Sequence, residues 1–158
     1  MSHLDSSGRA RMVDISGKPV TERLARARGV IRMKPATLEA IRTSATRKGD
    51  AIAVARIAGI MAAKRTAELV PLCHPIPLTD VDLTIDLDET LPGVRVTATA
   101  KTAAQTGVEM EAVVAASVTL ITIFDMVKGL DRDLEIGEIS VVEKQGGKSG
   151  SWVRGSGP

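Results

Sequence analysis

Val81-Asp-Leu-Thr-Ile-Asp-Leu-Asp-Glu-Thr-Leu-Pro-Gly-Val-Arg-Val-Thr-Ala-Thr-Ala-Lys101 is the stretch that decides the fold. Apolar and polar residues alternate from Val81 to Leu87 and again from Val94 to Lys101, the period of a half-buried strand. Leu91-Pro92-Gly93 between them is a turn, so the two strands form a hairpin with one face in the core. A long apolar segment flanks the hairpin on each side. Upstream, residues 51–69 read as a helix that is apolar almost all round and therefore buried, with Asp50 as its N-cap. Downstream, Thr106-Gly107 opens a second helix over about 108–127, and Gly129 closes it.

Working further outward, Leu134 to Val142 reads as a last strand. Pro71, Pro75 and Pro77 forbid helix and give a stiff extended loop before the hairpin. Toward the start of the chain, Gly29 marks a turn, Val30-Ile31-Arg32-Met33 a short strand, and Pro35 the first turn of a short helix over 36–46. Lys48-Gly49-Asp50 separates this helix from the next. The order predicts an α+β domain, an antiparallel sheet with helices on one face. Residues 1–11 read as a flexible arm, 12–147 as one domain, and 148–158 as a flexible tail.

The 158 residues suit a single domain that buries its own core. One Phe, one Trp and no Tyr leave that core to Ala, Val, Ile, Leu and Met. The same scarcity of aromatic residues argues against a single-strand nucleic-acid binder. A net charge of +2 gives no global case for nucleic acid or membrane as partner. Cys73 is the only cysteine, which excludes an intrachain disulfide and fits a reducing cytosol. Met1-Ser-His-Leu-Asp5 lacks the apolar run of a signal peptide. The longest apolar stretch, Ala112 to Phe124, falls short of the roughly 20 residues a membrane span needs.

Four segments hold unusual polar residues: Lys48-Gly49-Asp50; Lys64-Arg65 through Leu72-Cys73-His74; Glu109-Met110-Glu111; and Asp125 to Lys128 with Lys144 to Lys148. His74 sits between prolines beside Cys73, where a structural role and a site role are both open. No second Cys or neighbouring His completes a zinc site. Glu109 and Glu111 suit the dipole of a helix start, but residues two apart do not share a face. If the helix is buried, one of them points into protein and needs a partner. Asp125 and Lys128, at i and i+3, read either as a surface ion pair or as an acid–base couple. Gly146-Gly147-Lys148-Ser149 ends like a phosphate-binding loop but lacks its first glycine and following helix. Its backbone N–H groups and lysines still suit an anion.

Spacing adds a constraint. Sixteen residues of helix separate Glu109 from Asp125, roughly 24 Å at 1.5 Å per residue. If both belong to one active site, different subunits supply them or the substrate is very long.

Met12-Val-Asp-Ile-Ser16, Lys48-Gly-Asp50, Ala55-Arg-Ile-Ala-Gly-Ile-Met-Ala-Ala-Lys-Arg-Thr66, Leu69-Val-Pro-Leu-Cys-His-Pro75, Thr106-Gly-Val-Glu-Met-Glu-Ala112 and Lys144-Gln-Gly-Gly-Lys-Ser-Gly150 occur in order over residues 12–150. Together they closely resemble the cyclic pyranopterin monophosphate synthase family, molybdenum cofactor biosynthesis protein C. The resemblance implies a ferredoxin-like subunit in a homo-hexamer, a trimer of dimers, in the cytoplasm. It implies a substrate, 3′,8-cyclo-7,8-dihydroguanosine triphosphate, that becomes cyclic pyranopterin monophosphate with loss of pyrophosphate. It marks Asp125, Lys128 and Lys48 as catalytic. Leu72, Cys73 and His74, with Glu109, Met110 and Glu111, are marked as substrate contacts, and Lys64 and Lys144 as positions facing the triphosphate. Two residues depart from the family pattern: Phe124, where Tyr is expected, and Gln145, where a small residue is expected.

The implied chemistry fits the residue types. Rebuilding a purine-derived ring takes several proton transfers, which Lys, Asp and His relay. A ribose-derived hydroxyl then attacks the innermost phosphorus and expels pyrophosphate, whose charge lysines stabilise. No resident cofactor or protein-held metal is signalled, although Mg²⁺ could accompany the triphosphate. The alternative is a non-catalytic nucleotide-triphosphate-binding oligomer, which keeps the basic residues but has no need of Asp125.

Overall fold

The computed structural model describes residues 7–46, 48–148 and 150–155. In chain order the elements are β1 (Thr21–Arg32), α1 (Pro35–Arg42), α2 (Ala51–Ala63), α3 (Thr66–Leu69), β2 (Leu78–Asp88), β3 (Gly93–Ala104), α4 (Glu109–Val127), β4 (Glu135–Gln145) and β5 (Trp152–Val153). Among the described residues the strands form one antiparallel sheet in the order β2-β3-β1-β4-β5. Helices α2 and α4 pack on one face. The β1-α2-β2-β3-α4-β4 succession is the ferredoxin-like α+β arrangement that the sequence predicts.

The hairpin stands where its alternation puts it, with Leu83 opposite Ala98 and Ile85 opposite Val96. The strand before it is longer than the sequence suggests. β1 begins at Thr21, and Gly29 lies inside it rather than in a turn. The reason is steric. A Cβ at Gly29 would stand 2.7 Å from Leu120 Cδ1 of α4, so the glycine lets the helix lie against the strand. The early half of β1 alternates Ala25 and Ala27 inward against Arg26 and Arg28 outward, a pattern too weakly apolar to stand out.

Small residues meet across the core. Ala25 and Ala27 pair with Ala100 and Ala98, and Ala112, Ala115 and Ala116 of α4 are fully buried with them. This close approach, rather than large aromatic volume, fills the interior. At Gly59 of α2 a Cβ would come within 2.1 Å of Thr119 Oγ1, so the two helices touch along a seam that admits no side chain.

The first helix is shorter than expected. Ser44 adopts φ 53°, its N–H donates to Ile41 O (3.1 Å), and that of Ala45 donates to Ala40 O (2.9 Å). This is a Schellman ending, and it stops α1 at Arg42. The expected 51–69 helix divides at Lys64 and Arg65 into α2 and α3. Asp50 caps α2 as predicted, accepting from Ile52 N (3.0 Å) and Ala53 N (2.9 Å). Helix α2 is not buried all round: Val54, Ile57 and Met61 lie exposed on one side, at the spacing of one helical face. Helix α4, with 19 residues, is apolar and long enough to cross a membrane by length and composition. Here it lies against the sheet, with Leu120, Ile123 and Val127 fully buried. Within the expected C-terminal tail, Trp152–Val153 add to β4 as a short strand.

Candidate functional site

Helix α4 is continuous from Glu109 to Val127, and each end carries a cluster of polar residues. The N-terminal end emerges from β3 through Thr106-Gly107. A cavity of about 370 Å³ opens there, lined by Leu72, Cys73 and His74 of the proline-rich loop and by Glu109, Met110 and Glu111 of the helix. Thirty-five residues or more separate the two segments in sequence, and the fold sets them on one wall. Prolines hold the loop extended, while Cys73 N donates to Val70 O (3.0 Å) and so fixes its start.

Of the two glutamates, Glu111 is the one that points inward. It is only 3% exposed. Burial raises its carboxyl above the ordinary value against the pull of its own N–H, and the charge of Glu109 adds to the rise. Glu111 also lines a second cavity with Lys64 and Arg65, so it borders both openings. Lys64 lines that second cavity and not the first. The Cys73 thiol is pushed up by burial and by the nearby Glu111 charge, which keeps it a neutral thiol at pH 7 rather than a nucleophilic thiolate. His74 Nε2 donates to the Val13 carbonyl (2.8 Å); in the neutral ring this leaves Nδ1 as an acceptor. Lys144 Nζ lies 3.7 Å from Glu109 Oε1, so β4 brings a cation to the same mouth.

Sequence reasoning assigned no role to Val13, Ile15 and Lys18, which complete this cavity, or to Arg23. The signal available was the Val13/Ile15 alternation in an otherwise polar stretch. The segment is pinned by His74 and by Gln105 Nε2, which donates to Ser16 O (3.3 Å) and Lys18 O (3.0 Å). Arg23 lies on the glycine loop, where a Cβ at Gly147 would meet its Nη1 at 2.0 Å. Its Nε is buried with no hydrogen-bond partner among the described residues. Lys18, Arg23 and Lys148 border one cavity with Thr106 and Gly107, a cationic patch beside the first opening. Gly146 and Gly147 both have positive φ, 92° and 70°, as the turn against Arg23 requires.

The C-terminal end of α4 is different. Asp125 receives two lysines: Lys128 Nζ stands 2.8 Å from Oδ1, one turn along the helix, and Lys48 Nζ stands 2.6 Å from Oδ2. Lys48 also donates to the Asp125 carbonyl (2.9 Å). The lysines hold the Asp125 carboxyl down at about 2, chiefly through these two hydrogen bonds and with Lys128 the larger influence. All three side chains are about half exposed. The arrangement can hand protons between two ammonium groups bridged by a carboxylate. In one chain it stands roughly 24 Å along the helix from Glu109. The fold therefore brings Lys48, Asp125 and Lys128 together, brings the Leu72–His74 and Glu109–Glu111 segments together, and keeps the two groups apart. Among the described residues no group of three His, Cys, Asp or Glu is set to hold a metal ion.

Fold and site define a class: a ferredoxin-like α+β subunit whose long core helix carries a polar cavity at one end and a lysine–aspartate–lysine cluster at the other. Comparison with known proteins narrows it. The sequence profile of the MoaC family matches residues 12–147. Over 153 residues the chain is 57% identical to the cyclic pyranopterin monophosphate synthases of Brucella ovis, Brucella melitensis and Brucella canis, covering 97% of this chain and 93% of each relative. The chain belongs to the MoaC family.

Proposed function

We propose that this chain forms cyclic pyranopterin monophosphate from 3′,8-cyclo-7,8-dihydroguanosine triphosphate, with release of pyrophosphate. It is an enzyme of molybdenum-cofactor biosynthesis, in keeping with its family and with the synthase relatives. The observation that carries the reaction is convergence: the six residues that the family resemblance marks as substrate contacts line one cavity. The cationic groups beside it, Lys18, Arg23 and Lys148 on one side and Lys64 and Arg65 on another, suit a triphosphate. The Lys48–Asp125–Lys128 cluster supplies proton transfer to the ring being rebuilt. In the last step a hydroxyl oxygen bonds to the innermost phosphorus, the bond to the outer two phosphates breaks, and lysines take up the developing charge. No redox cofactor takes part; Mg²⁺ accompanies the triphosphate if it is needed.

The active unit is a homo-oligomer, a hexamer built as a trimer of dimers, acting in the cytoplasm. Two observations favour assembly. The clusters at the ends of α4 are too far apart to serve one small centre within a chain, and Val54, Ile57 and Met61 leave an apolar helix face uncovered. Each site then takes the Glu109–Glu111 end from one subunit and the Asp125 end from another. The non-catalytic triphosphate binder gains no support from relatives that are synthases. The test is incubation with the cyclised substrate, without redox cofactor, scoring pterin product. Folded protein that yields none would refute the proposal.

A further inference from the structure

Asp131 is one of two buried charged residues among those described, 2% exposed, and the chemistry above does not use it. Its N–H donates to Val127 O (3.3 Å), so it hangs on the last turn of α4, the turn that presents Asp125 and Lys128. Its carboxylate reaches across to a distant part of the chain. Oδ2 accepts from Lys34 N (2.7 Å) and stands 3.4 Å from Thr37 Oγ1. Oδ1 accepts from Asp133 N (2.9 Å) and stands 3.6 Å from Lys34 Nζ.

Lys34 is the N-cap of α1, and its own side chain makes no capping bond. Asp131 therefore does the capping from 97 residues away, and a carboxylate at a helix N-terminus is favoured by the dipole as well. The strong hydrogen bond from Lys34 N holds the Asp131 carboxyl below its ordinary value, so the link is charged at neutral pH. The described residues that follow α1 are tied by local hydrogen bonds. The Schellman ending closes the helix, Gly49 N donates to Thr46 O (3.2 Å), Thr46 Oγ1 donates back to Gly49 O, and Asp50 caps α2. Lys48 lies between the mutually bonded Thr46 and Gly49, 2.6 Å from Asp125.

We infer that Asp131 is a positioning residue for the catalytic cluster: by fixing the start of α1 to the end of α4, it sets the register in which Lys48 meets Asp125. Leu38 and Ile41 also hold α1 to the core, but apolar burial is non-directional and tolerates small slides of the helix. A hydrogen-bonded carboxylate does not. The kinetic part of this inference rests on the function proposed above; the structural part does not.

The direct perturbation breaks the link at Lys34, where a proline Cδ would replace the N–H and crowd Asp131 Oδ2. Lys34 has φ −66° and ψ 147°, angles that proline adopts without strain. Lys34→Pro deletes the donor, while Lys34→Ala keeps it and serves as the reference for loss of the side chain. Asp131→Ala, which removes the acceptor from the other side, repeats the test and stands in if Lys34→Pro does not fold. Relative to Lys34→Ala, Lys34→Pro should lower kcat about tenfold with KM unchanged, within the loss that a misplacement of about 1 Å produces. Carbon-13 NMR of the Asp125 carboxyl, assigned with Asp125→Asn and read without substrate between about pH 2 and 5, should show it titrating higher than in wild type as Lys48 drifts away. Unchanged titration together with kcat at the Lys34→Ala level, in both variants, would overturn the inference, even if both melt earlier. If no form turns over the cyclised substrate, the proposed function fails, and the titration still decides whether Asp131 positions Lys48.

Discussion

The two ends of α4 solve opposite problems with the same kinds of residue. At the N-terminal end a glutamate is buried and raised in pKa, beside a cavity walled by a proline-stiffened loop. At the C-terminal end an aspartate is half exposed, clasped by two lysines and held ionised down to about 2. The first is suited to receive a ligand, because its carboxyl lies buried on the wall of an open cavity. The second is already satisfied and open to solvent, as the proposed shared site requires of a proton-handling group. One helix carries both, and its length keeps them from meeting within a chain.

The sharpest way to break this contrast is to remove the C-terminal cluster. Lys48→Ala and Lys128→Ala should each lower turnover by roughly 10² or more, the scale of a lost acid–base group. Melting should barely move, since exposed ion pairs contribute little to stability. Wild-type turnover would return both lysines to the solvated surface. At the other end the expectation reverses. Glu111→Gln should raise the melting temperature at neutral pH and lower activity. The raised carboxyl stays protonated in the folded state over pH values at which the unfolded chain has already lost the proton, so wild type loses stability as pH climbs above the ordinary 4.5. The advantage of Gln should vanish below that value; a pH-independent difference would mean that burial does not raise the Glu111 carboxyl.

Smaller effects sharpen the picture. Asp50→Ala removes both capping bonds at the start of α2 and should cost about 1 kcal/mol in a denaturant titration, with little loss of turnover if Lys48 stays in place. Smaller still is the acid dependence of Asp125. Its depressed carboxyl adds stability above the ordinary 3.8 that is lost as pH falls toward about 2. Wild type and Asp125→Asn should therefore differ in melting at pH 5 and converge near pH 2.

Much of the scaffold was legible in the sequence because its signals are local. The hairpin alternation, the Asp50 cap and the extent of α4 each depend on neighbours within a few residues, and each appears where expected. What failed to show has a physical cause. β1 hides its first half because Ala and Arg alternate there in place of large apolar and polar residues. Gly29 looks like a turn because a glycine that makes room for Leu120 carries no mark of its own. Ser44 ends α1 by a left-handed turn that serine seldom adopts. For the site, residue types and segments were readable, and the impossibility of uniting Glu109 with Asp125 in one chain followed from helix length alone. The choice of Glu111 over Glu109 as the buried acid, the clasp of Lys48 on a residue 77 positions away and the entry of Val13, Ile15 and Lys18 into the cavity are tertiary facts with no local signature.

The account rests on one site drawn from two subunits, and subunit mixing tests that directly. Glu111→Ala and Asp125→Ala, each inactive alone, are unfolded together, refolded as mixed oligomers and assayed for pterin product from the cyclised substrate. Some mixed interfaces join an intact Glu109–Glu111 end to an intact Asp125–Lys128 end, so activity should partly return. No recovery despite proven subunit exchange, or a wild-type protein that is active as a monomer, would contradict the shared site.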